Sequence, residues 1–154
     1  MTDYRIETAK KEHLSAIVAL LADDAIGAFL EDPSAMDVYQ RAFDEIDQDL
    51  NSAIYVALDA NDHIVGCVQM SVTQFLVHRG EKRVEIAGLR VSGKLRRSGL
   101  GAMLLRYVMD EGRRRGAIVA QFTSNKARQD AHMFYERMGF KASHDGYKIS
   151  LTAS

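Results

Sequence analysis

Apolar positions along the chain change period several times, and each change predicts an element. Residues Tyr4 to Thr8, YRIET, alternate apolar and polar, which is the two-residue period of a strand. In KKEHLSAIVALLADD the apolar residues Leu14, Ile17, Val18 and Leu21 recur at helical spacing. AIGAFLED reads as a loop, after which Pro33 and Ser34 open a second helix that runs to about Leu50. SAIYVAL and HIVGCVQMSVTQFLV are β-rich runs separated by DAND, a hairpin turn, and KRVEIAGLRV is a third member of that sheet.

Beyond this point helix and strand alternate. GLGAMLLRYVMDEGRRRG keeps Leu100, Leu104, Leu105, Val108 and Met109 on one side and Arg106, Asp110, Arg113 and Arg114 on the other. Its cations and Gly116 suit a helix C-terminus. AIVAQFT is a short buried strand, RQDAHMFYERMG a helix closed by Gly139, and YKISL a final strand. This order predicts an α+β, or mixed α/β, fold around a mixed sheet.

Composition narrows the class without naming a chemistry. A chain of 154 residues is expected to form one domain over 1–154. Its net charge of −1 gives no pull toward nucleic acid. Arg113 to Arg115 read as a solvated helix end, since no aromatic stacking motif accompanies them. No apolar run approaches the ~18 residues of a membrane span, and MTDYRIETAK lacks a secretion-signal pattern. Cys67 is the single cysteine, which fits a reducing, cytoplasmic setting; mid-strand, it reads as a buried thiol rather than a covalent acyl carrier. The histidines 13, 63, 78, 132 and 144 show no metal-ligand spacing, so no metal is expected.

The chemistry concentrates in LRRSGLGAML, Leu95 to Leu104. A turn leading into a helix offers unpaired N–H groups and the positive end of the helix dipole, and glycines allow an anion to approach closely. Gly88 to Lys94, GLRVSGK, supplies most of a P-loop, but Leu95 stands where the magnesium-binding hydroxyl belongs. Gly99-Leu100-Gly101 begins a dinucleotide fingerprint, but Leu104 replaces its third glycine. The pattern that is filled is R-x-x-G-x-G, by Arg96, Gly99 and Gly101.

With FYERMGF, Phe134 to Phe140, that pattern resembles the Gcn5-related N-acetyltransferase (GNAT) superfamily, and the order of elements matches from end to end. TSNKARQDAHMFYERMGFKASHDGYK is similar to a subset that includes aminoalkylphosphonate acetyltransferases. The resemblance implies a central, mostly antiparallel sheet of six to seven strands flanked by about four helices. It implies acetyl-CoA as cosubstrate, with its pyrophosphate cradled by Arg96, Arg97, Ser98, Gly99, Leu100, Gly101 and Ala102. Leu89, Arg90 and Val91 would hold pantetheine through free backbone groups where the sheet splays. Tyr135 falls where the superfamily often carries the acid that protonates the departing sulfur, a role a phenol suits; packing of its helix on the sheet is the competing reading.

Two positions depart from the family pattern. A glutamate often lies nine residues before the loop arginine, which is Ala87 here; eleven before is Glu85, on the same strand face and the base expected from this sequence. The pattern N-x-x-A-x-x-x-Y places Arg128 where Asn is usual, with Ala131 and Tyr135 in register, so either Asn125 or Arg128 would contact the cofactor. The acceptor is expected beside Asp24, Ile26 and Phe29, in a region where Asp23, Glu31 and Asp32 add carboxylates. The resulting expectation is an N-acetyltransferase that moves acetyl to a primary amine of a small molecule by direct attack, as a homodimer, with neither nucleic acid nor membrane as partner. The alternatives are a silent acyl-CoA-binding or regulatory module and a protein or peptide acetyltransferase.

Overall fold

The computed structural model describes residues 3–153. The chain forms two compact units, one through Gln121 and one from Phe122.

In the first unit, strands β1 (Arg5–Thr8), β2 (Ser52–Leu58), β3 (Ile64–Gln74), β4 (Lys82–Val91) and β5 (Val119–Gln121) form one sheet in the order of the chain. Every pairing is antiparallel except β4 with β5, which is parallel. The β2–β3 hairpin turns where the sequence placed it: Asp59 Oδ1 accepts the N–H groups of Asn61 and His63, and Asp62 takes a left-handed φ of 65°. Helices α1 (Leu14–Leu21) and α3 (Met36–Gln48) bury Leu14, Ile17, Val18 and Phe43 against Val56, Leu58 and Cys67 of the sheet.

β3 runs to Gln74 and gives way to a single turn, α4 (Val77–Gly80), in which His78 and Arg79 are left-handed. Gln74 Nε2 holds the connection by donating to the carbonyls of Phe75 and Gly80. Helix α5 (Leu100–Arg114) then packs on β3 and β4. A Cβ on Gly66 would lie 2.8 Å from Leu104 Cδ1, whereas Cys67, next in β3, packs with α1 and α3. Successive strand residues point to opposite faces, so the sheet is covered by α5 on one side and by α1 and α3 on the other. Gly112 allows the closest approach: a Cβ there would stand 2.9 Å from Val84 Cγ1.

In the second unit, α6 (Gln129–Arg137) is closed by Gly139 at φ 97°. The Phe122 ring packs on Tyr135 and Phe140 with centroids 4.1 and 4.9 Å away.

Four expectations need correction. AIGAFLED is not a loop: it contains α2 (Ala25–Leu30), whose first turn is fixed by Asp24 Oδ1 accepting the Gly27 N–H at 2.6 Å. The second long helix starts at Met36 rather than Pro33, because Asp32 Oδ1 accepts the Ser34 N–H and makes a separate turn. YKISL is not a strand; Tyr147, Ile149 and Leu151 are all exposed. The described residues therefore give five strands rather than six to seven, and six helices, α2 and α4 short, rather than about four. Alternation marks an amphipathic segment, but a strand exists only where an edge receives its hydrogen bonds. Among the described residues no helix is long and apolar enough to cross a membrane.

Candidate functional site

β4 has two different edges. β5 pairs only with Arg83 to Glu85, so from Ile86 to Val91 the strand has no neighbour on that side among the described residues. The direction of the free groups follows from alternation. Ser92 donates its N–H to Val65 O at 2.8 Å, and the Arg90 N–H bonds the Cys67 thiol, so both turn toward β3. The intervening N–H groups of Leu89 and Val91 therefore face the open edge, and that of Arg90 does not. A register shift between Cys67 and Gln69 and a left-handed Gly88, φ 62°, bend the pair at this point. Such an edge can take an extended, amide-containing ligand as an additional strand.

The chain leaves β4 through a 3-10 turn, Gly93–Leu95, and reaches α5 by way of two left-handed residues, Arg97 at φ 65° and Gly99 at φ 88°. For arginine this backbone is unusual and costs about 1–3 kcal/mol, which the surroundings must offset. Ser98 Oγ accepts the Leu100 N–H at 3.4 Å, while the N–H groups of Gly101 and Ala102 begin the helix with no intrahelical acceptor. No atom lies within 4 Å of where a Gly99 Cβ would stand, so the loop faces open space. Arg96 and Arg97 are exposed and have no carboxylate partner among the described residues. Open space, exposed guanidinium groups and a helix N-terminus are features that suit an anion.

Glu85 is half-buried, with Oε2 accepting from Gln121 Nε2 at 2.9 Å. Gln121 Oε1 in turn accepts from Arg83 Nη1 at 3.3 Å. The β5 side chain thus fixes the orientation of the carboxylate. No motif in the sequence points to Gln121; its signal is its place in the short strand that pairs beside KRVEIAGLRV. Cys67 is buried, donates to Gly88 O, and is pushed up to about 12 by that burial, which excludes a thiolate nucleophile.

The acceptor-side residues separate into different roles. Asp24 caps α2, Ile26 is half-buried and Phe29 is 88% exposed. A Cβ on Gly93 would lie 3.7 Å from Asp23 Oδ2, and one on Gly88 3.5 Å from Leu21 Cδ2. The α1–α2 connection therefore sits at the end of β4 that carries the open edge and leads into the Arg96–Ala102 turn. In the second unit, Asn125 Oδ1 accepts the Ala127 N–H at 2.9 Å, and its carbonyl accepts from Arg128 N–H at 3.0 Å. Asn125 thus shapes the turn into α6, Arg128 is the residue preceding that helix, and Tyr135 lies on it.

The chain matches the acetyltransferase (GNAT) family over residues 6–140. It is 36% identical over 84 residues to an aminoalkylphosphonate N-acetyltransferase of Salmonella typhimurium, a match covering 54% of each chain. An uncharacterized N-acetyltransferase of Bacillus subtilis is 40% identical over 65 residues, 42% of this chain and 45% of the other, so the chain spans about half the length of the curated relatives it matches. The crystal structure of a transcriptional regulator from Bacillus halodurans superposes with a TM-score of 0.91 at 36% identity, covering 97% of this chain and all of the other. An aminoglycoside N-acetyltransferase in complex with CoA shares the fold, with a TM-score of 0.81 at 17% identity over 99% of this chain and 97% of the other. The family match spans residues 6–140, most of the chain, and the chain belongs to the acetyltransferase (GNAT) family.

Proposed function

We propose that the protein is an acetyl-CoA-dependent N-acetyltransferase that acylates a primary amine of a small molecule, with residues 1–154 acting as one catalytic domain. The observation that carries this reading is the open half of β4 continuing into the left-handed Arg96–Ala102 turn before α5. Arg96, Arg97 and the N–H groups at the start of α5 hold the pyrophosphate, and the Leu89 and Val91 backbone aligns pantetheine along the strand edge. One of these N–H groups polarises the thioester carbonyl, where charge develops as the amine attacks. Glu85, directly or through a water, receives the proton of the ammonium. The amine nitrogen forms a bond to the carbonyl carbon, the carbon–sulfur bond breaks, Tyr135 O–H protonates the departing sulfur, and the proton the acylated nitrogen sheds restores the phenol. Arg128 or Asn125 supplies a further cofactor contact.

The lone buried thiol fits a cytoplasmic setting. The exposed alternation of Tyr147, Ile149 and Leu151 supports a homodimer in which that segment is covered. Thiol release from acetyl-CoA, measured with a panel of amines, tests the reading. Amine-dependent CoA release is expected. Tight CoA binding without turnover on any amine or peptide would instead identify a silent regulatory module, a reading the name of the Bacillus halodurans neighbour keeps in view.

A further inference from the structure

The transfer reading leaves unused a partly open cavity of about 150 Å³ lined by α1, α3 and the sheet. Its walls include Ile17 and Leu21 of α1, Ala42 and Phe43 of α3, and Cys67 and Gly88 of the sheet. Tyr39 and Gln69 supply its polar side-chain groups beside the thiol, and no Asp, Glu, Lys, Arg or His is among its lining residues. A hole of this volume with mostly apolar walls accepts a benzene-sized group.

The cavity has a defined place relative to the open edge. Gly88 lines it and precedes Leu89, whose N–H faces that edge. Its outer end is bounded by acid: Tyr39 Oη accepts the Asp32 N–H at 2.9 Å and donates to Glu31 Oε1 at 3.5 Å. Leu21, another wall residue, leads into the connection that carries Asp23 and Asp24. An uncharged interior with an acidic margin is the combination that a cationic, hydrocarbon-bearing molecule satisfies.

Resting on the acyl-transfer reading, we propose that the acceptor is a primary amine with a compact aryl or branched-alkyl body, which fills this cavity beside Gly88 while Asp23, Glu31 and Asp32 draw its ammonium inward. A phosphonate would meet carboxylates at the margin and find no cation within. A linear polyamine would leave a second ammonium in an apolar hole, where an unpaired charge is strongly disfavoured. A longer acyl chain on the donor is the competing occupant, but it carries no charge and makes no use of the acidic margin.

Steady-state kinetics of the full chain with acetyl-CoA should compare benzylamine and 3-methylbutylamine with spermidine and 1-aminoethylphosphonate. The apolar amines are expected to show kcat/KM higher by about tenfold or more, the range one or two buried methylenes command. Ala42→Phe fills the cavity from an exposed helix position and should raise KM for benzylamine by a similar factor while CoA affinity stays unchanged. Ala42→Leu serves if the larger side chain lowers the melting temperature. Calorimetric titration with benzylamine alone gives a readout independent of turnover, and binding to the native chain should be lost in the filled variant. Preference for the phosphonate or the polyamine would overturn the proposal. So would an Ala42→Phe enzyme that loses butyryl-CoA turnover but keeps benzylamine. Should no amine be acetylated although CoA binds, the transferase reading fails; the titration still decides the cavity, since absence of benzylamine binding sinks that assignment by itself.

Discussion

From Arg83 to Glu85, β4 lies between β3 and β5; from Ile86 to Val91 it has β3 alone. Both halves come from a single β-rich run, yet they differ in structure. The paired half buries Val84 and receives Gly112 of α5 against it, so it anchors the sheet. The open half holds a left-handed glycine, a register shift and two outward N–H groups, each of which weakens a sheet locally. The contrast divides one strand into a paired, stabilising stretch and an open stretch on which the proposed ligand recognition rests, with the change falling between Glu85 and Gly88.

Substitutions can probe each side of that division. The largest effect is expected from Gly99→Glu, which places bulk and negative charge in the open space before α5 and at a backbone that disfavours any side chain. CoA affinity measured by calorimetry should fall by at least about a hundredfold, against the favourable contribution of a helix N-terminus to anions; normal binding would remove the loop from the site. Next, Leu89→Pro deletes an N–H that faces the open edge and is not used by β3. If this group polarises the thioester, kcat/KM should drop by about 10²–10³ with the melting temperature nearly unchanged. A large loss of melting temperature would show that the open half is structural after all. Tyr135→Phe should reduce kcat by about a hundredfold, the usual contribution of a positioned acid, and leave CoA binding alone. Unchanged turnover would leave Tyr135 as the packing aromatic seen between Phe122 and Phe140. The smallest change in activity belongs to the paired half: Val84→Ala should destabilise the fold by about 2 kcal/mol, read by urea unfolding, while KM values hold. A raised KM for acetyl-CoA in that variant would blur the division.

Much of the scaffold could be read from periodicity because buried faces constrain sequence most strongly. α5 is the clearest case: Leu100, Leu104, Leu105 and Val108 are buried as their spacing required. The hairpin at DAND was equally readable, since Asp and Asn encode their own backbone turn. What escaped were features set by partners rather than by local pattern. α2 was missed because AIGAFL is short and its cap, Asp24, looked like one more acid in an acidic loop. YKISL has the period of a strand, but period does not supply an edge to pair with. At the site, Arg96, Gly99 and Gly101 were visible because a tight turn before a helix restricts residue type. Gln121, which orients Glu85, and Gly88, which bends β4, act through neighbours distant in the chain. Asn125 carried a different ambiguity: an asparagine that shapes a turn and one that binds a cofactor look alike in sequence, and here the turn accounts for its Oδ1.

The buried thiol of Cys67 has a practical consequence. At about pH 8, where disulfide chromogens react with thiolates, a group whose pKa stands near 12 and which is 1% exposed remains silent. Released CoA can therefore be counted against a folded protein that adds no background, and any slow extra colour would report loss of the native state. The same cysteine that cannot act as a nucleophile makes the chain its own quality control in the assay that would establish its activity.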